Sequence, residues 1–492
     1  MKAGVATLAI AKFLSYVLTI AMPLYLARHF SMAQFGLYKL VFNVVTNSVA
    51  ILSPMIGMTS FYFFPREPET RTSVAGNIIL MGAIVGILPL FAFLLNPVLF
   101  LKLFKDPATV ADAPLIGIVV FLWTIAYLIE LVPIANQDYD FATAGIIVGN
   151  VFRALCLLVS AFLTQTVHGM LIGSVVYGIV QAGFFVYYVQ SRFPGFLKAS
   201  SLSIMKRQWA YIFKILPANL LGDLQTFMPL YFVGFRYSLA ASAVFAAGCF
   251  NIPVTGMLLE SFGSILIRKV GELERAGNRR EIVRIILASA RKLSLAFFPF
   301  YVLMLVIRRE FIVTIFTDRY VDSIPIFVLN ISLIPFTILM FDPIWRAFPD
   351  QKFKVLAIRG TATFVLFMAL WFGTAHYGPI AASAAMLVAA IAERIGLTIL
   401  WGRFLHVRRA DLEGLGDVGR VALASLGAGI VTWMVRLTLL GLMKPIWIGV
   451  ACGCVLVPVY VALLLVLQVP TPEERRMVTG RLASLTRVAR LA

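Results

Sequence analysis

Apolar runs of about twenty residues recur from one end of the 492-residue chain to the other, and this pattern restricts the fold more than any motif does. A run of that length crosses a hydrocarbon core as a helix, in which every backbone donor and acceptor is satisfied internally. The windows fall near 4–27, 38–60, 73–95, 113–134, 143–164, 169–190, 209–235, 242–267, 293–309, 324–344, 356–374, 378–401, 421–442 and 445–468. The expected fold is all-α and integral to the membrane, with fourteen transmembrane helices. Composition agrees: 61% of residues are hydrophobic, 13% are charged, and the mean hydropathy is +0.92. A soluble domain carries about twice that charged fraction, and the strands of a membrane barrel would alternate in short segments. The first run is too long for a signal-peptide core and reads as the first span.

The net charge of +19 would suggest nucleic acid in a soluble protein. Here the basic residues sit mostly in short loops, so they report topology, and no nucleic-acid partner is expected. With both termini inside, and with Lys39, Arg308, Arg309 and Arg359 at window ends taken with the adjoining connections, 28 of the 42 Lys and Arg fall in inside segments, nine in outside loops and five within spans. The excess predicts an N-in, C-in multi-pass protein. The longest connections, 191–208 and 268–292, are basic and inside, and the second reads as a helical extension. Cys156, Cys249, Cys452 and Cys454 all lie in apolar runs, so neither a disulfide framework nor a metal site is expected. His29, His168, His376 and His406 form no catalytic or metal cluster. Glu393–Arg394 reads as a local pair, and Arg436 as a side chain reaching the interface. No outer loop is long enough to hold an enzyme active site, and no cofactor is implied.

The chain also repeats itself. "HFSMAQFGLYKLVFNV" is echoed by "RYSLAASAVFAAGCFNI" some 207 residues later, and "LFKDPATVADAPLIGI" by "IFTDRYVDSIPIFVLN". "HGMLIGSVVYGIV" opens span 6 as "YGPIAASAAMLVA" opens span 12. Six spans per copy give both copies the same orientation, related by an axis along the membrane normal. The expected organisation is an N-lobe over 1–190 and a linker over 191–208. A C-lobe over 209–404, two further helices over 405–468 and a basic tail over 469–492 follow.

Polar residues interrupt these spans in register with the repeat. Lys12, Tyr16 and Thr19 correspond to Asn219, Asp223 and Thr226, each set spaced i, i+4, i+7 on one helix face. Asn43 and Asn47 correspond to Asn251 and Thr255, again i, i+4. Four helices thus carry matching polar faces that lipid cannot satisfy. Facing one another, they would line a wet cavity, to which Lys39, Arg153 and Lys214 add positive charge. Such a cavity favours an anion such as a phosphate. Asp223 and Glu260 are candidates for a coupling proton or sodium ion, because desolvation raises a carboxyl pKa. Other roles are open to the same groups: Lys12 can snorkel to the interface or pair with Asp223, and the asparagines can bond between helices.

"LARHFSMAQFGLYKLVFNVVTNSVAIL", with its Phe35-Gly36-Leu37-Tyr38 element, resembles the span 1–2 signature of the polysaccharide-transporter branch of the multidrug/oligosaccharidyl-lipid/polysaccharide (MOP) flippase superfamily. The basic connection at 268–292, "IFTDRYVDSIPIF" and His376-Tyr377-Gly378 resemble that branch too, in order across spans 1 to 12. The resemblance implies two six-helix lobes around a cavity open to one side at a time. The implied cargo is a polyprenyl-diphosphate-linked oligosaccharide, an O-antigen or exopolysaccharide repeat unit, moved across a bacterial inner membrane. Lys12, and then Lys39, Arg153 and Lys214, are the implied contacts to diphosphate. Partners would be the bilayer, a polysaccharide polymerase and glycosyltransferases. Two other functions compete. A drug or metabolite cation antiporter of the multidrug and toxin extrusion branch would favour an acidic cavity. A polytopic O-antigen polymerase or ligase would need a long outer loop.

Overall fold

The computed structural model describes residues 21–95, 97–412 and 415–470, without the side chains at 97–100, 108, 215, 218, 219, 264, 349 and 409. Its regular structure is helical. In the first repeat, α1 (21–29) leads to α2 (Met32–Arg66), α3 (Arg71–Leu95), α4 (Pro97–Phe104), α5 (Pro107–Ala111), α6 (Ala113–Ala126), α7 (Val132–Ala135), α8 (Tyr139–Thr164) and α9 (Val167–Arg192). After α10 (Phe196–Ala199), the second repeat runs through α11 (Leu202–Arg236), α12 (Leu239–Gly248), α13 (Pro253–Arg275), α14 (Arg279–Val306), α15 (Arg308–Phe316), α16 (Ile324–Ile331), α17 (Asp342–Ala347), α18 (Lys352–Tyr377) and α19 (Ile380–Phe404). The chain closes with α20 (Leu415–Leu439) and α21 (Pro445–Val466).

Among the described residues, eleven helical stretches are long and apolar enough to cross a membrane, or twelve if α12 and α13, bent by 52°, count as one. Two more were expected. The span at 4–27 lies almost wholly outside the described residues. The span at 209–235 falls within the 35-residue α11, whose apolar run is interrupted by Lys214, Asn219, Asp223 and Gln225.

Matching local structures support the repeat. Ser31 caps α2 by accepting from the Gln34 amide at 3.2 Å, and Ser238, 207 residues later, caps α12 by accepting from the Ala241 amide at 3.2 Å. Lys105 and Thr317, each between Phe and Asp, both take positive φ, +53° and +80°. The fourth span of each copy is broken in the same order: α6, a 3-10 turn and α7 in one, α16, a 3-10 turn and α17 in the other. One mismatch stands out. The helix face expected to carry Asn251 and Thr255 is absent, because residues 250–252 are non-helical and α13 begins at Pro253. Proline has no N–H to donate and bars helical backbone at the residue before it. Its counterpart α2 runs unbroken for 35 residues.

The chain packs as two compact units, Met1–Cys249 with Ile315–Ser323 and Arg359–Ala389, and Phe250–Thr314 with Ile324–Ile358 and Ala390–Ala492. In the first, Phe63, Phe64, Val74, Phe185, Tyr188 and Ile212 belong to a core joining α2, α3, α9 and α11. Its other end holds a reciprocal clasp between the repeats. Arg319 donates to the carbonyls of Ala27 (2.6 Å) and Phe30 (3.4 Å), and Arg28 to that of Ile315 (3.1 Å). Lys105, from the first repeat, donates to the carbonyl of Tyr237, the counterpart of Phe30. Helix ends leave such carbonyls without intrahelical partners and at the negative pole of the dipole, so a cation satisfies both. Beside the clasp α2 crosses α12 so closely that a Cβ on Gly36 would lie 1.8 Å from the Leu239 carbonyl oxygen.

In the second unit, Val302 on α14 packs with Val421, Ala424 and Ala428 on α20 and with Leu456 and Tyr460 on α21. Arg436 is paired: it bonds both carboxylate oxygens of Glu310 at 2.8–3.0 Å, and Glu310 is only 4% exposed. Arg394 donates to the Leu339 carbonyl at 2.6 Å. Breaking a buried pair strands a charge. Arg436→Ala is expected to cost about 3–5 kcal/mol in denaturation of the purified protein, and Arg436→Leu with Glu310→Leu to recover most of it. Gly36→Ala, facing backbone rather than a movable side chain, is expected to abolish the monodisperse peak in size-exclusion chromatography.

Candidate functional site

The sequence-predicted residues that the structure gathers lie in the first unit. Lys39, Asn43 and Asn47 follow one another at i, i+4, i+8 along one face of α2. The Lys39 ammonium is half-buried and lies over two rings, 5.5 Å from Phe35 and 5.6 Å from Tyr38. Such contacts contribute about 0.5–2 kcal/mol, and they leave the three N–H donors unused. Asn47, 6% exposed, donates to the Tyr231 hydroxyl on α11 at 2.9 Å, joining the second helix of one repeat to the first of the other. Between them, the buried Asn43 Nδ2 finds no hydrogen-bond partner among the described residues. An orphan donor of this kind costs about 1–3 kcal/mol.

Arg153 supplies a second cation from α8. Its guanidinium is held by the Asn150 Oδ1 at 3.0 Å and lies 5.8 Å from the centre of the Trp123 ring. Trp123 is itself fixed: its indole N–H donates to the Ser174 carbonyl at 3.0 Å, and its ring meets Tyr177 edge-on at 5.3 Å. The Tyr177 hydroxyl lies within the electrostatic reach of both Arg153 and the Glu130 carboxylate, and the ring contacts tie Arg153 to the Lys39 end of α2. Phe42, one turn beyond Tyr38, lies 4.9 Å from the Tyr38 ring and 6.4 Å from the Trp123 ring. The result is two cations and an unused amide donor on an aromatic bed. Neither cation forms a salt bridge among the described residues. This arrangement can bind an anion with several acceptor oxygens.

The remaining candidates are scattered. Lys12 and Tyr16 lie outside the described residues, as does the side chain of Asn219. Asp223 is half-buried on α11 and has no ion pair among the described residues. Its neighbour Gln225 donates to Thr363 Oγ1 at 3.1 Å and to the Arg359 carbonyl at 3.4 Å. Lys214 is exposed on α11. In the second unit, Asn251 is exposed in the break before α13, and Glu260 is exposed on α13. No group of three or more His, Cys, Asp or Glu able to hold a metal occurs among the described residues. Sequence reading missed Trp123, Tyr177 and Tyr231, because an aromatic residue within an apolar run looks the same whether it meets lipid, core or ligand.

No protein-family model matches the sequence, and no curated protein does. Solved structures do match. The lipid II flippase MurJ in an inward closed conformation superposes with a TM-score of 0.74 at 13% identity, over 93% of this chain and 97% of that one. An inward-facing multidrug-resistance MATE family transporter of the MOP superfamily gives 0.63 at 15% identity, over 80% and 97%. An outward-facing structure of a multidrug-resistance MATE family transporter gives 0.55 at 15%, over 82% and 94%. The chain shares the fold of these solved structures. At these identities the likeness speaks for architecture.

Asn43 and Asn47 offer a direct comparison. Asn43→Leu removes a donor that no described group accepts, so it is expected to leave thermal stability unchanged or raised. Asn47→Leu strands the Tyr231 hydroxyl and is expected to cost about 1–3 kcal/mol.

Proposed function

We propose that the protein is a flippase for a polyprenyl-diphosphate-linked oligosaccharide, carrying a glycan repeat unit across a bacterial inner membrane by alternating access. The observation that carries this reading is the pairing of two cations that form no salt bridge among the described residues with an amide donor that finds no partner there, at the end of α2 that meets the other repeat. A diphosphate cannot enter hydrocarbon unaided. In low dielectric, Lys39, Arg153 and Asn43 would replace part of its hydration while the polyprenyl chain stays in lipid. Lys12, expected on the facing helix, would add a third cation. The fold supports the reading, since one of its solved examples is a flippase of lipid II. A transporter needs no catalytic group, and none is invoked. The positive-inside pattern supports an N-in, C-in orientation, with the clasp at the outer end, and two lobes corresponding to the sequence repeats. Glycosyltransferases and a polymerase would supply and consume the cargo.

A second reading rests on Asp223. A half-buried carboxylate without an ion pair among the described residues suits a coupling proton or sodium ion, and a multidrug-resistance transporter of the MATE family has this fold. The cationic cluster favours the flippase.

The test is the rate at which labelled lipid-linked oligosaccharide appears in the outer leaflet of proteoliposomes. Lys39→Ala and Arg153→Gln are expected to slow it about tenfold or more each, the equivalent of about 1.4 kcal/mol, at unchanged protein level. Undiminished flipping in both variants, or export of a cationic drug that depends on Asp223, would transfer the protein to the antiporter class.

A further inference from the structure

We propose that a groove between the start of α18 and the end of α19 binds an anionic phospholipid, with its phosphate between Lys354 and Arg403. The groove holds about 580 Å³. Its polar lining is Gln351, Lys354 and Arg403, and its apolar lining includes Ile358, Ile399 and Leu400. The order matters: Lys354 and Ile358 lie one turn apart on α18, and Leu400 and Arg403 one turn apart on α19. The helices are antiparallel, so the cations share one end of the groove and the apolar side chains continue from it. That is the division of a lipid into headgroup and acyl chain. Gly396 lets the helices close at the floor, where a Cβ would lie 3.0 Å from Ile358.

Three further observations narrow the occupant. The Gln351 Oε1 is buried and accepts no hydrogen bond among the described residues, so the ligand must bring a donor; a glycerol headgroup has hydroxyls. Lys354 and Arg403 are exposed and form no salt bridge among the described residues, and the exposed Asp350 is a single carboxylate at the rim. Flanking apolar side chains face outward: Phe353 is 73% exposed and Ile395 55%. The same end of this unit packs the basic connection, with Val270 and Ile282 against Leu397, Trp401 and Leu405, and Arg279 lies 4.9 Å over the Phe404 ring. Positive-inside topology puts that end at the cytoplasmic leaflet, where anionic headgroups attract Lys and Arg side chains. The occupant is therefore a lipid of the phosphatidylglycerol class.

The experiment follows the melting temperature of the purified full-length chain in neutral detergent during titration with phosphatidylglycerol, phosphatidylcholine or inorganic phosphate. Phosphatidylglycerol is expected to raise it most, and Lys354→Ala with Arg403→Ala to weaken that response at least about tenfold. Arg268→Ala with Arg284→Ala, which removes two exposed cations elsewhere, is expected to leave the response intact. An equal response to phosphatidylcholine, an equal loss in the control, or a response to inorganic phosphate alone overturns the proposal. The readout is lipid binding, so its failure is independent of flipping, and slow flipping in Lys39 variants leaves the groove untouched.

Discussion

The clasp between the repeats is the interaction on which the rest of the first unit depends. It joins cations to main-chain carbonyls at helix ends, and it runs both ways: Arg319 reaches back to 27–30, Lys105 forward to Tyr237. The choice of acceptor has an energetic consequence. Hydrogen bonds from charged donors contribute about 1.5–3 kcal/mol each. Opening them releases carbonyls and cations to water without stranding a buried charge. The Arg436–Glu310 pair is the opposite case, since neither partner can be left alone. The clasp is thus the less costly of the two junctions to open. The left-handed backbone at Lys105 and Thr317, costly for Thr at about 1–3 kcal/mol, aims the turns that carry the clasp.

Holding α2, α11 and α12 together at that end positions the polar face of α2. Asn47 is satisfied across the repeat boundary by Tyr231, whereas Asn43, one turn nearer the clasp, is not. An unsatisfied donor and two cations without salt bridges among the described residues cost stability, and on the proposed reading a phosphate-bearing ligand would offset that cost. The aromatic bed beneath Lys39 and Arg153 fixes them without neutralising them, which an acidic partner would do.

Much of the fold was legible in the sequence because lipid imposes a simple rule, and apolar runs of span length can only be helices. The repeat was legible for a similar reason: caps such as Ser31 and Ser238 and turns such as 105 and 317 recur where the same backbone geometry is needed. What escaped depended on long-range pairing. Arg436 and Glu310 are 126 residues apart, and nothing local tells which carboxylate an arginine in an apolar run will pair with. The break at 249–252 carried its signal in Pro253, but matching Asn251 to Asn43 by register obscured it. Of the candidate site, the α2 face was legible as polar positions at helical spacing; the aromatic residues that support the cations were not.

The account turns on the clasp end opening during transport. A short bifunctional cross-linker between cysteines at His29 and Asp318, exposed neighbours of the clasping residues, placed in a background without the four native cysteines, tests it most directly. Cross-linked protein should lose appearance of lipid-linked oligosaccharide in the outer leaflet, and cleavage of the linker should restore it. Transport at an undiminished rate with the linker intact would contradict the account.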